Sequence, residues 1–237
     1  MQRQIKQYKV TEKNFKAWND DMIDKYDPDI YHTKSNIIIR TIIRLMQRSM
    51  HEMLNPKSCD RTLEVGCGAG NTLEKFLSGK KTVGIDLSLK LLRKAQKRCG
   101  TLTELCAAKA EALPFKAKSF DKVVCTEVIE HLLFPEKCLL EIGRIAKDDA
   151  AIVITTTNEI FLNKIKNIVW TFGIDKILFR GDTYKPQKRM DDEWHLQAFD
   201  PISFKLMIEQ YFNIKKIDYV PSQFFPVHII VCCGKKR

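Results

Sequence analysis

LEVGCGAGN, residues 63–71, ends a hydrophobic run in three alternating glycines, Gly66, Gly68 and Gly70. Glycine has no Cβ and adopts positive φ angles, so a ligand can lie directly against such a turn. A strand that ends in glycines and opens a helix is where α/β sheets bind nucleotides. The spacing is G-x-G-x-G rather than the dinucleotide G-x-G-x-x-G, and the P-loop lysine motif is absent. The turn therefore indicates a nucleoside ligand without a pyrophosphate.

A second apolar run, residues 81–86, ends in the carboxylate of Asp86. A carboxylate at the end of the second strand can accept hydrogen bonds from both hydroxyls of a ribose. A strand-end or capping role is the alternative for an acidic residue at this position. The pairing with the glycine turn, about 20 residues earlier, favours the ribose role.

Short hydrophobic runs alternate with helical patterns along most of the chain. The predicted strands are 62–66, 81–86, 103–107, 120–126, 150–157, 214–220 and 226–233. This alternation predicts an α/β, Rossmann-like fold with a seven-stranded, mostly parallel sheet and helices on both faces. The short connection before the last strand suits a hairpin, so we expect that strand to run antiparallel.

Two regions lie outside the alternation. Residues 1–55 are predicted to form an N-terminal helical cap or lid, whose long helix begins near Ser35. Residues 56–237 are predicted to form the core, with 158–196 as a lid-like insertion after the fifth strand. The apolar stripe of the long helix is predicted to be Ile38, Ile42, Leu45, Met46, Met50 and Met53.

The composition suits one globular domain, since 44% of the 237 residues are hydrophobic. The net charge of +11, from 40 basic and 29 acidic residues, favours acidic partners, although scattered surface charge is the alternative.

The chain has no apolar signal core and no run of the roughly 20 apolar residues that span a bilayer. None of the eight cysteines forms a C-x-x-C pair, so we expect no metal site and a reduced, cytoplasmic setting.

Four motifs, LEVGCGAGN, VGIDLS, AEALPF and SFDKVVCTEVIEH, are followed by a late helix–strand–strand ending. In this order they resemble class I S-adenosylmethionine-dependent methyltransferases, and most of all the small-molecule branch that includes the ubiquinone and menaquinone biosynthesis enzymes. The likeness is strong over about residues 60–157. It implies an enzyme that uses S-adenosylmethionine and releases S-adenosylhomocysteine. The expected acceptor is an O, N or C atom of a small molecule, and lipophilic and anionic molecules are both candidates.

RNA, either tRNA or rRNA, is the alternative substrate. The net charge of +11 supports it. Against it, CTEVIEH stands where an N-P-P-[YF] motif would follow the fourth strand, and no separate RNA-binding domain is visible. Nothing in the sequence indicates an oligomeric state.

The resemblance implies a cofactor-binding set of nine residues: Glu64, Gly66, Gly68, Gly70, Asp86, Leu87, Ala110, Glu111 and Thr126. In the family the glycines pack under the methionine and ribose, and the residue matching Glu64 helps to hold the ammonium group. Asp86 matches the ribose carboxylate, Leu87 an apolar contact to adenine, and Thr126 the methionine end.

The loop at Ala110 and Glu111 matches the segment along the adenine edge, but it departs from the family at Lys109. The family usually has an aspartate there, which accepts a hydrogen bond from the adenine amino group. The lysine ammonium group has only hydrogen-bond donors, so Lys109 cannot accept that hydrogen bond. Glu111 or the backbone replaces that acceptor, or adenine is held mainly by packing.

Two histidines are candidates for a catalytic base that takes a proton from the acceptor. His131 follows the fourth strand, near the expected position of the methyl group, and a packing or capping role is its alternative. His195 lies where the insertion returns to the core, and Trp194 beside it either lines a substrate pocket or anchors the insertion.

Residues 160–180 carry a large apolar face with a tryptophan, flanked by lysines that include Lys164 and Lys166. Such a face suits an interfacial helix in peripheral contact with a membrane. The alternative is a lid that covers the active site, and a lipophilic substrate would be compatible with both.

Overall fold

A computed structural model of the protein describes residues 10–76, 81–182, 184, 186–189 and 194–236. Within them the helices are α1 (Phe15–Tyr26), α2 (Pro28–Lys34), α3 (Ile37–Leu54), α4 (Asn71–Phe76), α5 (Leu89–Cys99), α6 (Pro135–Ile145), α7 (Glu159–Thr171), α8 (Asp175–Leu178) and α9 (Pro201–Tyr211). The strands are β1 (Thr62–Val65), β2 (Thr82–Asp86), β3 (Thr103–Ala107), β4 (Phe120–Thr126), β5 (Ala146–Thr157), β6 (Phe212–Ser222) and β7 (Phe225–Lys235).

Parts of the predicted cap and insertion lie outside the described residues, namely 1–9, 183, 185 and 190–193. The division into cap, core and insertion stays a prediction. Among the described helices, none is both long and apolar enough to cross a membrane.

The seven strands form one sheet in the order β3-β2-β1-β4-β5-β7-β6. All neighbouring pairs from β3 to β5 are parallel, whereas β7 is antiparallel to both β5 and β6. The predicted fold class is confirmed, including the antiparallel last strand. Because the strand order reverses between β1 and β4, a crevice opens at their carboxyl ends, which is where such sheets bind ligands.

Helices cover both faces of the sheet because the strand side chains alternate between two apolar layers. On β4, Val123 and Cys125 join the layer formed with α6 and α9, whereas Val124 joins the layer formed with α3, α4 and α5. On β7, Val231 and Ile230 alternate in the same way. Strands buried on both sides are the expected result for a central parallel sheet.

Helix α3 packs against the sheet through Met46, Met50 and Leu54, which are all buried. Its N-cap is Asn36, whose side chain accepts a hydrogen bond from the Ile39 N–H. The stripe predicted one long helix, which α3 is; two of its residues, Ile38 and Leu45, are exposed, whereas Ile43 and Leu54 are buried. The list of buried residues on α3 is Ile43, Met46, Gln47, Met50 and Leu54.

Strand β5 begins at Ala146, before its predicted start at 150. Ala146 pairs with Phe120, and a register shift precedes the regular pairing of Ala151 with Lys122. Because of this register shift, β5 begins directly after α6, and no separate turn connects the helix to the strand.

Candidate active site

A cavity of about 650 Å³ lies at the carboxyl ends of β1, β2 and β4. Its walls also include residues of α1, α2, α3 and α7. Eight of the nine predicted cofactor residues line it, together with both predicted histidines: Glu64, Gly66, Gly68, Asp86, Leu87, Ala110, Glu111, Thr126, His131 and His195. The tertiary structure thus brings almost the whole predicted site together.

The glycine turn after β1 uses positive φ angles at all three glycines, 71° at Gly66, 52° at Gly68 and 80° at Gly70. A Cβ added to Gly66 would lie 2.2 Å from Val128 Cγ2, so this glycine is required by close packing. A Cβ added to Gly68 would meet no atom within 4 Å, because the backbone there borders the open cavity. Gly68 is therefore the position at which a ligand can reach the backbone most closely.

Gly70 is the one predicted cofactor residue that does not line the cavity. A Cβ at this position would lie 2.9 Å from Cys99 Sγ and 3.1 Å from Ala95 Cβ, both on α5. Its absence allows α4 and α5 to approach each other. Gly70 thus shapes the turn by helix packing, which the glycine spacing alone does not distinguish from ligand contact.

Asp86 faces the cavity and is held by backbone N–H groups. Its Oδ2 accepts a hydrogen bond from Gly68 N at 2.9 Å, and its Oδ1 accepts one from Ser88 N at 2.8 Å. Burial raises the pKa of this carboxyl, and the two backbone N–H groups act in the opposite direction. Each oxygen keeps lone pairs for further donors, such as a pair of ribose hydroxyls.

Glu64 is a buried carboxyl in the cavity wall, only 2% exposed. Its Oε2 has no hydrogen-bond partner among the described residues. Burial raises its pKa to about 8; a hydrogen bond from Thr72 opposes this shift, and the charge of Asp86 adds to it. A buried acceptor without a donor is a site for a cationic group.

The loop after β3 places Ala110 and Glu111 in the wall near Leu87. Lys109 also lines the cavity, and its side chain is exposed. Its carbonyl accepts a hydrogen bond from Ala112 N at 3.1 Å, which closes the loop as a tight turn. Glu111 is the acidic residue of the loop that lines the cavity, and burial raises the pKa of its carboxyl.

The end of β4 contributes a residue that the sequence analysis missed, Glu127. Its carboxylate accepts hydrogen bonds from Thr155 Oγ1 at 2.9 Å and Thr157 Oγ1 at 2.5 Å, and its Oε2 lies 3.1 Å from His228 Nδ1. Burial raises the pKa of Glu127, but His228 and the threonine hydroxyls outweigh burial and lower it to about 2. A sequence signal existed, since His228 is the one polar residue in the apolar run VHIIVCC of the last strand.

His131 and His195 lie together, with ring centroids 4.9 Å apart. His131 Nδ1 lies 3.2 Å from the carbonyl oxygen of Trp194, and His195 Nδ1 lies 3.4 Å from Glu159 Oε2. Burial lowers the pKa of His131 to about 3, helped by the neighbouring His195. Both rings thus occupy the wall where the insertion returns to the core.

Glu130 joins these two histidines as a group that could hold a metal ion, and the sequence expectation of no metal site stays a prediction. Each of the three offers one ligand atom, and these atoms lie within 4.8 Å of one another. Burial and the charge of Glu127 raise the pKa of Glu130 well above its ordinary range. A cation would offset this cost of burying the carboxylate. Two histidines and a carboxylate suit a transition-metal ion.

Comparison with known families fits this geometry, because residues 63–154 match the family model described as a methyltransferase domain. The match agrees with the methyltransferase class that the sequence predicts.

Relatives of this chain include an uncharacterised protein of Methanocaldococcus jannaschii, 31% identical over 175 residues, which are 74% of this chain and 61% of the relative. A ubiquinone biosynthesis O-methyltransferase of Methylococcus capsulatus is 33% identical over 126 residues, 51% of this chain and 53% of that protein. The chain therefore spans less than two thirds of the length of these curated relatives.

Among solved structures, an S-adenosylmethionine-dependent methyltransferase of Thermotoga maritima superposes with a TM-score of 0.60 at 17% identity. The superposition covers 91% of this chain and 99% of that one. At this level of identity the likeness shows the shared fold.

The polar half of the cavity fits S-adenosylmethionine. Glu64 supplies a buried acceptor without a donor for the ammonium group, and Asp86 has lone pairs for the ribose hydroxyls. Gly68 leaves the space against the backbone open. The residue-by-residue assignments of the cofactor set stay predictions.

The other half of the cavity is apolar. Helices α3 and α7 supply its side chains: Ile38, Ile39, Ile42, Ile43, Met46, Leu162, Ile165, Val169 and Trp170. Lys166, expected on the flank of the insertion, is instead buried and lines this half. The insertion therefore walls the cavity with one face of α7.

The opposite face of α7 and the adjoining α8 are apolar and exposed. Their exposed large apolar side chains are Ile160, Ile168, Phe172, Ile174 and Ile177. Phe172 is 75% and Ile177 is 80% exposed. Lys164, Lys176 and Arg180 are exposed on the same segment.

Proposed function

We propose that this protein transfers a methyl group from S-adenosylmethionine to a small lipophilic molecule. One observation carries the proposal: a single cavity joins a polar half, with the glycine turn, Glu64 and Asp86, to an apolar half walled by α3 and α7. The polar half has the chemistry of the methyl donor. The apolar half has the chemistry of an acceptor that water solvates poorly.

When bound, S-adenosylmethionine supplies an electrophilic methyl group on a sulfonium whose leaving group is a neutral thioether. Such a transfer needs no oxyanion hole, so the protein contributes by orienting its ligands and excluding water. Glu64 and Asp86 orient the donor through its ammonium and ribose groups. The side chains of α3 and α7 position the acceptor and keep water out.

A peripheral contact with an anionic membrane is the finer part of the proposal. Exposed apolar side chains, Phe172 and Ile177 foremost, lie on the segment whose inner side lines the cavity. The exposed cations Lys164, Lys176 and Arg180 accompany them. This combination suits a segment in the membrane interface that admits a lipophilic acceptor directly to the cavity.

Calorimetry with S-adenosylhomocysteine tests the donor half of the proposal. We expect saturable binding by the wild type, and its absence at high micromolar concentration would contradict the function. Methyl transfer is then measured with labelled S-adenosylmethionine and para-alkylphenols of increasing chain length. Longer chains should lower KM because the apolar half buries more of them.

The same assay with bulk tRNA separates the alternative substrate class. A small-molecule enzyme should bind tRNA weakly and transfer no label to it. Label in tRNA, together with affinity that falls steeply with salt, would favour the RNA alternative.

A further inference from the structure

Glu127 and His228 form a dyad in the cavity wall from elements that are far apart in the chain. Glu127 follows β4, whereas His228 lies on β7 beside Thr157 of β5. The distance between Glu127 Oε2 and His228 Nδ1 is 3.1 Å. Both residues line the cavity.

The carboxylate of Glu127 is fixed before any ligand arrives. Its backbone has a φ of 54°, an unfavourable value for a residue with a side chain. The hydroxyls of Thr155 and Thr157 donate to its two oxygens, and its own N–H donates to Thr155 Oγ1 at 3.1 Å. A strained residue held by three hydrogen bonds has a defined orientation.

The dyad orients the ring of His228. Because Nδ1 lies 3.1 Å from Glu127 Oε2, a carboxylate that can only accept, the neutral ring is held in the tautomer with its proton on Nδ1 and its lone pair on Nε2. Nε2 is buried and has no hydrogen-bond partner among the described residues. Two described titratable groups interact electrostatically with His228, namely Glu127 and, from α2, His32.

The other cavity histidines are less suited to accept a proton. Burial lowers the pKa of His131 to about 3 and that of His32 to about 4, so both are weak bases. His195 Nδ1 lies 3.4 Å from Glu159 Oε2 without hydrogen-bond geometry. Among the described cavity histidines, only His228 has one ring nitrogen at hydrogen-bond distance from a carboxylate and the other buried without a partner.

We propose that His228 is the general base of the methyl transfer, that Glu127 is its positioning residue, and that the acceptor is an ionisable hydroxyl. The inference rests on the proposed function. As the oxygen–carbon bond forms and the sulfur–carbon bond breaks, the hydroxyl proton passes to Nε2 of His228. Glu127 stabilises the resulting imidazolium, as carboxylates do in other carboxylate–histidine pairs. A carboxylate acceptor would need no such base.

A binding experiment without turnover tests the base directly. ortho-Nitro-para-nonylphenol, whose phenolate absorbs visible light, is titrated with pH in the presence of S-adenosylhomocysteine. We expect the wild type to lower the apparent pKa of the bound phenol, because His228 takes up its proton. His228→Gln should abolish this shift, and Glu127→Gln should reduce it. His51→Gln, the same change at a histidine outside the cavity, should leave it intact.

The dependence of kcat on the acidity of the phenol gives an independent readout. A purely structural role of His228 would not change this dependence. His228→Gln should lower kcat about 100-fold or more for para-nonylphenol, but far less for the nitrophenol, which is already ionised at pH 8. Equal losses for both phenols would overturn the proposal, as would a larger loss in His131→Gln or His195→Gln. If His228→Gln does not fold, Glu127→Gln must show the same dependence on the acidity of the phenol.

Failure of the inference is distinct from failure of the function. A wild type that binds S-adenosylhomocysteine but neither ionises nor methylates either phenol would overturn the hydroxyl acceptor while leaving the methyltransferase assignment standing. A wild type that does not bind S-adenosylhomocysteine would remove the function itself.

Discussion

Asp86 Oδ2 accepts a hydrogen bond from the backbone N–H of Gly68 at 2.9 Å, which ties the end of β2 to the glycine turn after β1. The carboxylate expected to hold the ribose thus also fixes the turn against which the nucleoside would lie. Donor binding then requires little rearrangement, and this reduces its entropic cost. The turn and the carboxylate therefore act as one unit.

Replacing Asp86 should remove cofactor affinity and leave the fold intact. We expect Asp86→Ala to weaken S-adenosylhomocysteine binding about 10- to 100-fold, since a hydrogen bond to a charged group contributes about 1.5–3 kcal/mol. Calorimetry measures the affinity, and circular dichroism checks the fold. Asp121→Ala is the matched control, because Asp121 accepts from Arg61 N at 2.9 Å at the opposite end of the sheet. A folded Asp86→Ala variant with unchanged affinity would contradict the ribose assignment.

Two glycines of the turn should respond differently to alanine. Gly66→Ala places a Cβ 2.2 Å from Val128 Cγ2, so we expect a loss of about 1–3 kcal/mol in the free energy of unfolding. Gly68→Ala meets no protein atom within 4 Å and should cost about 1–2 kcal/mol, for its left-handed backbone alone. Gly68→Ala should nevertheless impair cofactor binding, because the added Cβ occupies the part of the cavity in which the ligand would lie against the backbone. Urea unfolding and calorimetry measure both effects; unimpaired binding by Gly68→Ala would count against a ligand at this turn.

Cofactor binding should release a proton from Glu64. Its pKa of about 8 keeps the free carboxyl protonated at neutral pH, whereas an ammonium partner requires the carboxylate. Affinity for S-adenosylhomocysteine should therefore rise with pH up to about 8 and level off above it. Calorimetry at pH 7 in buffers with different ionisation enthalpies measures the released proton. Glu64→Gln should bind more weakly and lose the pH dependence; an unchanged proton release in that variant would assign it to another group.

The exposed face of α7 and α8 should be needed for vesicle binding. We expect the double variant Phe172→Ser, Ile177→Ser to lose at least about tenfold in partitioning onto phosphatidylcholine–phosphatidylglycerol vesicles, since burying each apolar side chain contributes about 1.5–3 kcal/mol. Cosedimentation measures the bound fraction. Ile202→Ser is the control, because Ile202 is 71% exposed on α9, outside this segment. Equal binding by the wild type and the double variant would remove the membrane contact from the proposal.

The sequence by itself determined the fold and the cofactor half of the cavity. Alternating strands and helices, the glycine turn and Asp86 are local patterns, and a parallel sheet places the ends of neighbouring strands at one edge. Gly66, Gly68 and Asp86 follow from that rule because each lies at the end of a predicted strand or just after it, whereas the role of Glu64 was implied by the resemblance to a known family.

Only the tertiary structure decided the apolar half of the cavity and its histidine–carboxylate pair. Glu127 and His228 are 101 positions apart and meet because β7 lies antiparallel beside β5, which no local pattern specifies. Gly70 resembles its two neighbours in sequence, yet it packs on α5, and Lys166 lies inside the cavity rather than at the surface of the insertion. Periodicity predicts which element a residue belongs to. Which side chain faces the cavity depends on how distant elements pack, and that is set by the sum of many long-range contacts.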